Sequence, residues 1–259
     1  MPQLPKIDRE KPGPLLGLGI SYPSVGALER IGLDWDWIWI DAQHGDIDIS
    51  EAAALLRTAE LIGRPALVRI PAIDPGWVGK ALDFGAAGVI VPMIESMEEA
   101  RAMVRAAKFP PLGNRSFGGR RVIDRMGRGF YRTANTDTVL ILQVESSNAV
   151  ALAESFAALD GVDGLFPGPD DHAIRDGRDV DAPKGRDTIG DLTRSVAEAC
   201  ERHGKLSVGL AFTDAALEMS KEYRYRLVAC GGDVVFLTSG SKNAAQKARV
   251  FFDCELKPG

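Results

Sequence analysis

Cysteine and histidine are scarce: three of each in 259 residues. Cys200, Cys230 and Cys254 are odd in number, far apart and without a CxxC pair. That excludes a disulfide framework and a CxxC-type zinc site, and marks them as ordinary thiols of a reducing compartment. No apolar run reaches the about 18 residues that span a bilayer. The polar, proline-rich opening MPQLPKIDREKPGP lacks the apolar core of a signal peptide. A soluble, cytoplasmic protein is expected. Positive charge is not in excess either, at 31 Lys and Arg against 36 Asp and Glu, net −5. A nucleic-acid surface is therefore not implied, leaving small molecules and other proteins as partners.

Several catalytic motifs are also missing. No GxGxxG follows the first apolar run, so a dinucleotide fold gains no support. No GxSxG offers a strained serine nucleophile. A Schiff-base aldolase needs a lysine near a strand end; the strand-like runs offer none, and Lys205 lies only at the opening of one.

What is present is a repeating pattern in a chain that is 45% hydrophobic. Short, β-branched apolar runs occur at 15–21, 37–41, 66–71, 88–93, 139–145, 162–168, 206–212 and 233–239. Most are continuous rather than alternating, as strands covered on both faces of a parallel sheet are. Between them, 50–63, 97–108, 147–159, 191–204 and 214–230 carry helical spacing, with Ser50, Ser96 and Asp214 as candidate N-caps and Gly63 and Gly204 near helix ends. Eight strands alternating with about eight helices in about 250 residues predict an α/β fold of the (β/α)8 TIM-barrel type. The rival is an open doubly wound sheet. No linker divides the chain, so residues 1–259 are expected to form one barrel domain with an irregular segment at 1–14.

Active sites of such barrels lie at the C-terminal strand ends. Polar residues gather there: Asp41 and His44 after the second run, Arg69 near the end of the third, Gln143 and Glu145 ending the fifth, Asp170, Asp171 and His172 after the sixth, and Thr238, Ser239 and Ser241 following the eighth. Glu145 and Asp171 would be neighbours, and facing carboxylates repel unless a proton or cation separates them. Oxygen-only ligands suit a hard divalent ion; the alternative is a salt bridge from one of them to an arginine. His44 can act as a base if an acid orients it, with Asp41 and Asp83 as candidates, or can be a hydrogen-bonded structural residue. Arg69, inside a run fit for burial, must find an anion: a substrate carboxylate or enolate, or a structural acid. A metal, a base and an arginine together suit proton abstraction next to a carbonyl.

The stretches IDAQHG, LVRIP, LDFGAAGVIVPMIES, FPPLGNRS, LQVES and GVDGLFPGPDD, between residues 40 and 171, resemble the HpcH/HpaI family of metal-dependent class II pyruvate aldolases, which is related to citrate-lyase-type enzymes. The resemblance implies a barrel that uses Mg²⁺, Mn²⁺ or Co²⁺ to make or cleave 4-hydroxy-2-oxo acids through the enolate of pyruvate or a related 2-oxo acid, with an aldehyde as second partner, in a homohexamer. It assigns the metal to Glu145 and Asp171, the base to His44 supported by Asp83, the enolate to Arg69, and a substrate contact to Gln143. The backbone from Gly168 through Pro169 and Asp170 to Asp171 would receive the substrate carboxylate. Three positions depart from the family pattern: Gln43 replaces a glutamate, Gly19 stands where a tryptophan is common, and His172 replaces a leucine. Asp41, Gln43 and His172 are candidates for residues flanking the metal ligands, with His172 expected rather to point away. Acyl-CoA chemistry of the citrate or malate type, and a barrel that only binds or assembles, are the alternative functions. The arginine-rich stretch 112–133, with Arg115, Arg120, Arg121, Arg125, Arg128 and Arg132, is expected to meet a neighbouring subunit or an anionic substrate.

Overall fold

The computed structural model describes residues 4–182 and 185–252; Cys254 lies outside them. Eight parallel strands close into a barrel in sequence order, not an open sheet. They are β1 (Leu15–Ile20), β2 (Trp37–Asp41), β3 (Ala66–Arg69), β4 (Gly88–Val91), β5 (Val139–Val144), β6 (Gly164–Pro167), β7 (Leu206–Leu210) and β8 (Leu227–Gly232). The helices are α1 (Val25–Ile31), α2 (Ile49–Leu61), α3 (Pro75–Asp83), α4 (Met97–Ala107), α5 (Arg120–Met126), α6 (Tyr131–Asp137), α7 (Ser147–Ala158), α8 (Pro169–Arg175), α9 (Arg186–Arg202), α10 (Asp214–Glu222) and α11 (Asp233–Phe251). None of the described helices is long and apolar enough to cross a membrane.

Continuous hydrophobicity is explained by two cores. Ile38, Ile40, Val68, Val89, Leu140, Leu142 and Leu165 face the helices, while Trp37, Trp39, Leu67, Ile90, Ile141, Phe166 and Val208 fill the barrel. Two tryptophans inside require room on β1. A Cβ on Gly17 would overlap the Trp37 ring, and the Trp37 indole N–H is satisfied by the Leu15 carbonyl at 3.1 Å. At the far end of the barrel, Lys108, 1% exposed, donates its ammonium to Asp163 at 2.6 Å and to the carbonyls of Asn135 and Thr138. Burial lowers the Lys108 pKa while Asp163 opposes the shift. This lysine is at the wrong end for a Schiff base at the mouth.

Local chemistry sets most helix starts. Asp48 and Glu51 form a capping box on α2, and Ser96 caps α4. Ser50 and Asp214 are not caps; Asp48 and Thr213 serve instead. Gly63 and Gly204 follow helix ends with positive φ.

One expected element is wrong. Residues 233–239 begin α11, and the eighth strand is Leu227–Gly232, expected as the end of a helix. Closure of the barrel decides it, because Leu227 pairs with both Leu15 and Val208. The helix before it stops at Glu222, and Arg224 takes a left-handed turn (φ 54°). A short apolar run cannot by itself distinguish strand from helix. Thr238, Ser239 and Ser241 therefore sit on α11 and not at a strand end. Only Asp233 of that helix is buried; Val234, Val235, Phe236, Leu237, Val250 and Phe251 are exposed.

Candidate active site

The mouth is assembled from the loops after the strands. Asp233, 3% exposed, accepts the backbone N–H groups of Ser21 and Tyr22 at 2.9–3.1 Å and so fixes the loop after β1. The Ser21 carbonyl in turn accepts the N–H of Asp46 at 2.9 Å. The two loops approach closely at Gly45, where a Cβ would overlap the carbonyls of Asp41 and Ser21. His44 is exposed on this fixed loop.

Asp41 ends β2 opposite Arg69 on β3. The guanidinium donates Nε to Oδ1 at 2.8 Å and Nη2 to Oδ2 at 2.6 Å, with both residues buried. Of the two partners expected for Arg69, the structural acid is thus present. Among the described residues the Asp41 carboxylate takes Nε and Nη2 and not Nη1, and the guanidinium lies 4.7 Å from the centroid of the Trp39 ring. Asp41 also accepts the N–H of Gln43 at 3.1 Å and of His44 at 3.4 Å. It holds the backbone of the loop, and its oxygens make no hydrogen bond to the His44 ring.

Glu145, immediately after β5, is 1% exposed and Gln143 is 2% exposed. The N–H of Met93 donates to Glu145 Oε2 at 2.7 Å, but Glu145 Oε1 is buried without a partner, as are Gln143 Oε1 and Gln43 Oε1. Burial pushes the Glu145 carboxyl up to about 7; the Met93 N–H opposes this, and the nearby Asp171 charge adds to it. Gly168 leaves room for this carboxylate, since a Cβ there would overlap Oε1. Pro169, Asp170 and Asp171 form the first turn of α8, and Asp171 is half-buried. His172 points elsewhere: its Nδ1 lies 2.5 Å from Arg178 and 3.6 Å from Asp176, and burial lowers its pKa.

Asp83 is not brought to His44 within one chain. It is the last residue of α3 and precedes β4, so it sits at the opposite end of the barrel. There Arg115 donates to it at 3.0 Å. Sequence reading missed Asp233, hidden by the misplaced β8, and Met93, whose contribution is a backbone N–H. It also missed Glu95, which accepts from Ser146 at 2.7 Å and pairs with Arg175.

The HpcH/HpaI aldolase/citrate lyase family model matches residues 28–235 of this barrel, a span that contains Glu145 and the Gly-Pro-Asp-Asp turn after β6. The chain belongs to that family. It is accordingly a carbon–carbon lyase. A hydroxypyruvate/pyruvate aldolase of Roseovarius nubinhibens is 32% identical, with 91% of this chain and 92% of the relative aligned. A 4-hydroxy-2-oxovalerate aldolase of Novosphingobium aromaticivorans is 31% identical, covering 90% and 88%. The crystal structure of an HpcH/HpaI aldolase/citrate lyase family protein from Burkholderia cenocepacia J2315 superposes with a TM-score of 0.83 at 34% identity, covering 93% and 96%.

Within this family member the donor set suits a hard divalent cation. Glu145 Oε1 is a buried oxygen with no protein partner, and Asp171 lies near enough to raise its pKa. Among the described residues no group of three or more His, Cys, Asp and Glu is placed to hold a metal. The protein would supply two carboxylates and leave the other positions to water and substrate oxygens.

Proposed function

We propose that the chain is a class II aldolase that joins or splits 4-hydroxy-2-oxo acids, with pyruvate or hydroxypyruvate as the enolate-forming 2-oxo acid, in the presence of Mg²⁺, Mn²⁺ or Co²⁺ held by Glu145 and Asp171. The observation that carries this reading is the unpartnered Oε1 of a glutamate buried beside a second carboxylate. A divalent ion there supplies positive charge to the developing enolate.

The remaining steps belong to the side chains. The first turn of α8, from Gly168 through Pro169 and Asp170 to Asp171, receives the substrate carboxylate. Gln143 contacts the substrate. Arg69, held by Asp41, turns Nη1 toward enolate oxygen as negative charge grows on it. In cleavage, His44 takes the proton from the 4-hydroxyl, the C3–C4 bond breaks to release aldehyde, and His44 delivers that proton to C3 of the enolate, a transfer that it reverses when the 2-oxo acid is enolised. In synthesis the same proton returns to the new alkoxide.

The working unit is read as a cytoplasmic homohexamer. Support comes from α11, whose apolar residues its own barrel leaves exposed, and from Asp83, which can orient His44 only from a second copy. The arginine-rich segment around Arg115 lies at the same end as Asp83 and belongs to that contact.

Proton NMR of pyruvate in D₂O tests the reading. Metal-stripped protein should leave the methyl signal intact, added Mg²⁺, Mn²⁺ or Co²⁺ should erase it, and His44→Ala should prevent the loss. No exchange with any metal would overturn the pyruvate assignment.

A further inference from the structure

Met93 has φ of 58°, in the left-handed region that non-glycine residues seldom occupy. Such conformations persist where the surroundings over-determine them, and they collect at functional sites. The side chain does not account for it, being 42% exposed. The backbone does. β4 ends at Val91, and the next residue, Pro92, has no N–H. Met93 therefore offers the first amide beyond the strand, and it donates to Glu145 Oε2 at 2.7 Å. Val91 and Ile94, both fully buried in the outer core, anchor the chain on either side. The left-handed turn lets that N–H face the carboxylate while the side chain leaves toward solvent.

The other face of the same carboxylate is bounded by Gly168, where any Cβ would overlap Oε1. One oxygen is thus tied to the backbone, and the other is buried with no partner. We propose that Met93 is a positioning residue: its left-handed backbone holds Oε2 of Glu145 so that Oε1 alone is presented to the cation. This rests on the reading of Glu145 as a cation ligand. A charge-assisted hydrogen bond restrains the rotation of the carboxyl group, and residues that orient a metal ligand govern affinity without touching the ion. The requirement falls on backbone conformation and not on the thioether. Glycine should satisfy it, and a β-branched residue should not.

The test uses the full-length, metal-stripped protein with Mn²⁺ as probe. Isothermal titration calorimetry is run on wild type, Met93→Gly and Met93→Val, with far-UV circular dichroism as a check on folding. Met93→Gly should bind within about threefold of wild type, and Met93→Val should bind about 10- to 100-fold more weakly. Native affinity in a folded Met93→Val, or equal weakening in both variants, would overturn the assignment. Failure of the wild type to bind Mn²⁺ would instead remove the cation reading of Glu145, and this assignment with it. Should Met93→Val not fold, hydrogen exchange decides. The Met93 amide must be protected in the metal-free wild type and lose protection in Glu145→Ala; an unprotected amide in the wild type refutes the proposal.

Discussion

Asp41→Asn probes the ion pair that ties the second and third strands together at the mouth. Arg69 donates to both carboxylate oxygens at 2.8 and 2.6 Å, and the side chains are 9% and 8% exposed. Asparagine keeps the shape but removes the charge and sets an NH₂ donor against a guanidinium donor. Breaking a buried pair by altering one partner costs about 3–5 kcal/mol, because the remaining charge stays desolvated and uncompensated. The same substitution weakens acceptance of the Gln43 and His44 amides, which lies within that range. For a chain of this size each kcal/mol moves Tm by roughly 2–4 °C, so a fall on the order of 10 °C is expected. Thermal unfolding followed by circular dichroism reads it. Arg69→Met alone should also destabilise, by leaving Asp41 unpaired. The double variant should be less unstable than the two singles predict, with a coupling of about 2 kcal/mol or more. A Tm for Asp41→Asn within about 2 °C of wild type, or strictly additive singles, would refute the argument that this pair is buried and mutually dependent.

Glu145 predicts a pH effect of definite sign. Its folded-state pKa is raised from 4.5 to about 7, so the folded protein holds a proton that the unfolded chain has released. Metal-free stability should therefore fall as pH rises from about 4.5 to 7, by about 3 kcal/mol, and level off above. Urea unfolding at pH 5 and pH 8 should show this loss in wild type and not in Glu145→Gln. Gly17→Ala should destabilise by about 1–3 kcal/mol, because the added Cβ collides with Trp37 inside the barrel. Gly19→Ala should fold with near-native stability, since its Cβ would meet Trp39 at an ordinary 3.4 Å; denaturation curves separate the two. Finally, His44→Ala and Asp83→Ala should each be inactive alone yet regain activity when unfolded and refolded together, if the two residues act across copies. Equal inactivity of the mixture would count against that pairing.

Most of the barrel was legible because its strands carry their own explanation. Residues such as Ile38 and Trp39 alternate between an outer and an inner core, and a strand buried on both faces is apolar throughout. Side chains at strand ends were legible for the same reason: Asp41, Arg69, Gln143 and Glu145 interrupt otherwise buried runs, and the structure brings them to one mouth. Functions carried by backbone were not. Nothing in the letters at Met93 announces a left-handed turn, and Asp233 holds the loop after β1 from a position that its neighbours' apolarity disguised as strand.

The misreading of 233–239 is itself informative. Val234, Val235, Phe236 and Leu237 are consecutive, so on a helix they cover more than a full turn and cannot all face one side. A helix packed on its own barrel would need an apolar stripe about 100° wide, with polar residues elsewhere. Here the first turns are apolar all round, and the residues remain 38–59% exposed beside their own chain. The pattern that imitates a strand covered on both faces is therefore that of a helix start requiring cover on more sides than one barrel provides. Trp35, stacked against Phe236 with centroids 6.2 Å apart, supplies part of that cover, and in the proposed homohexamer a second copy would supply the rest.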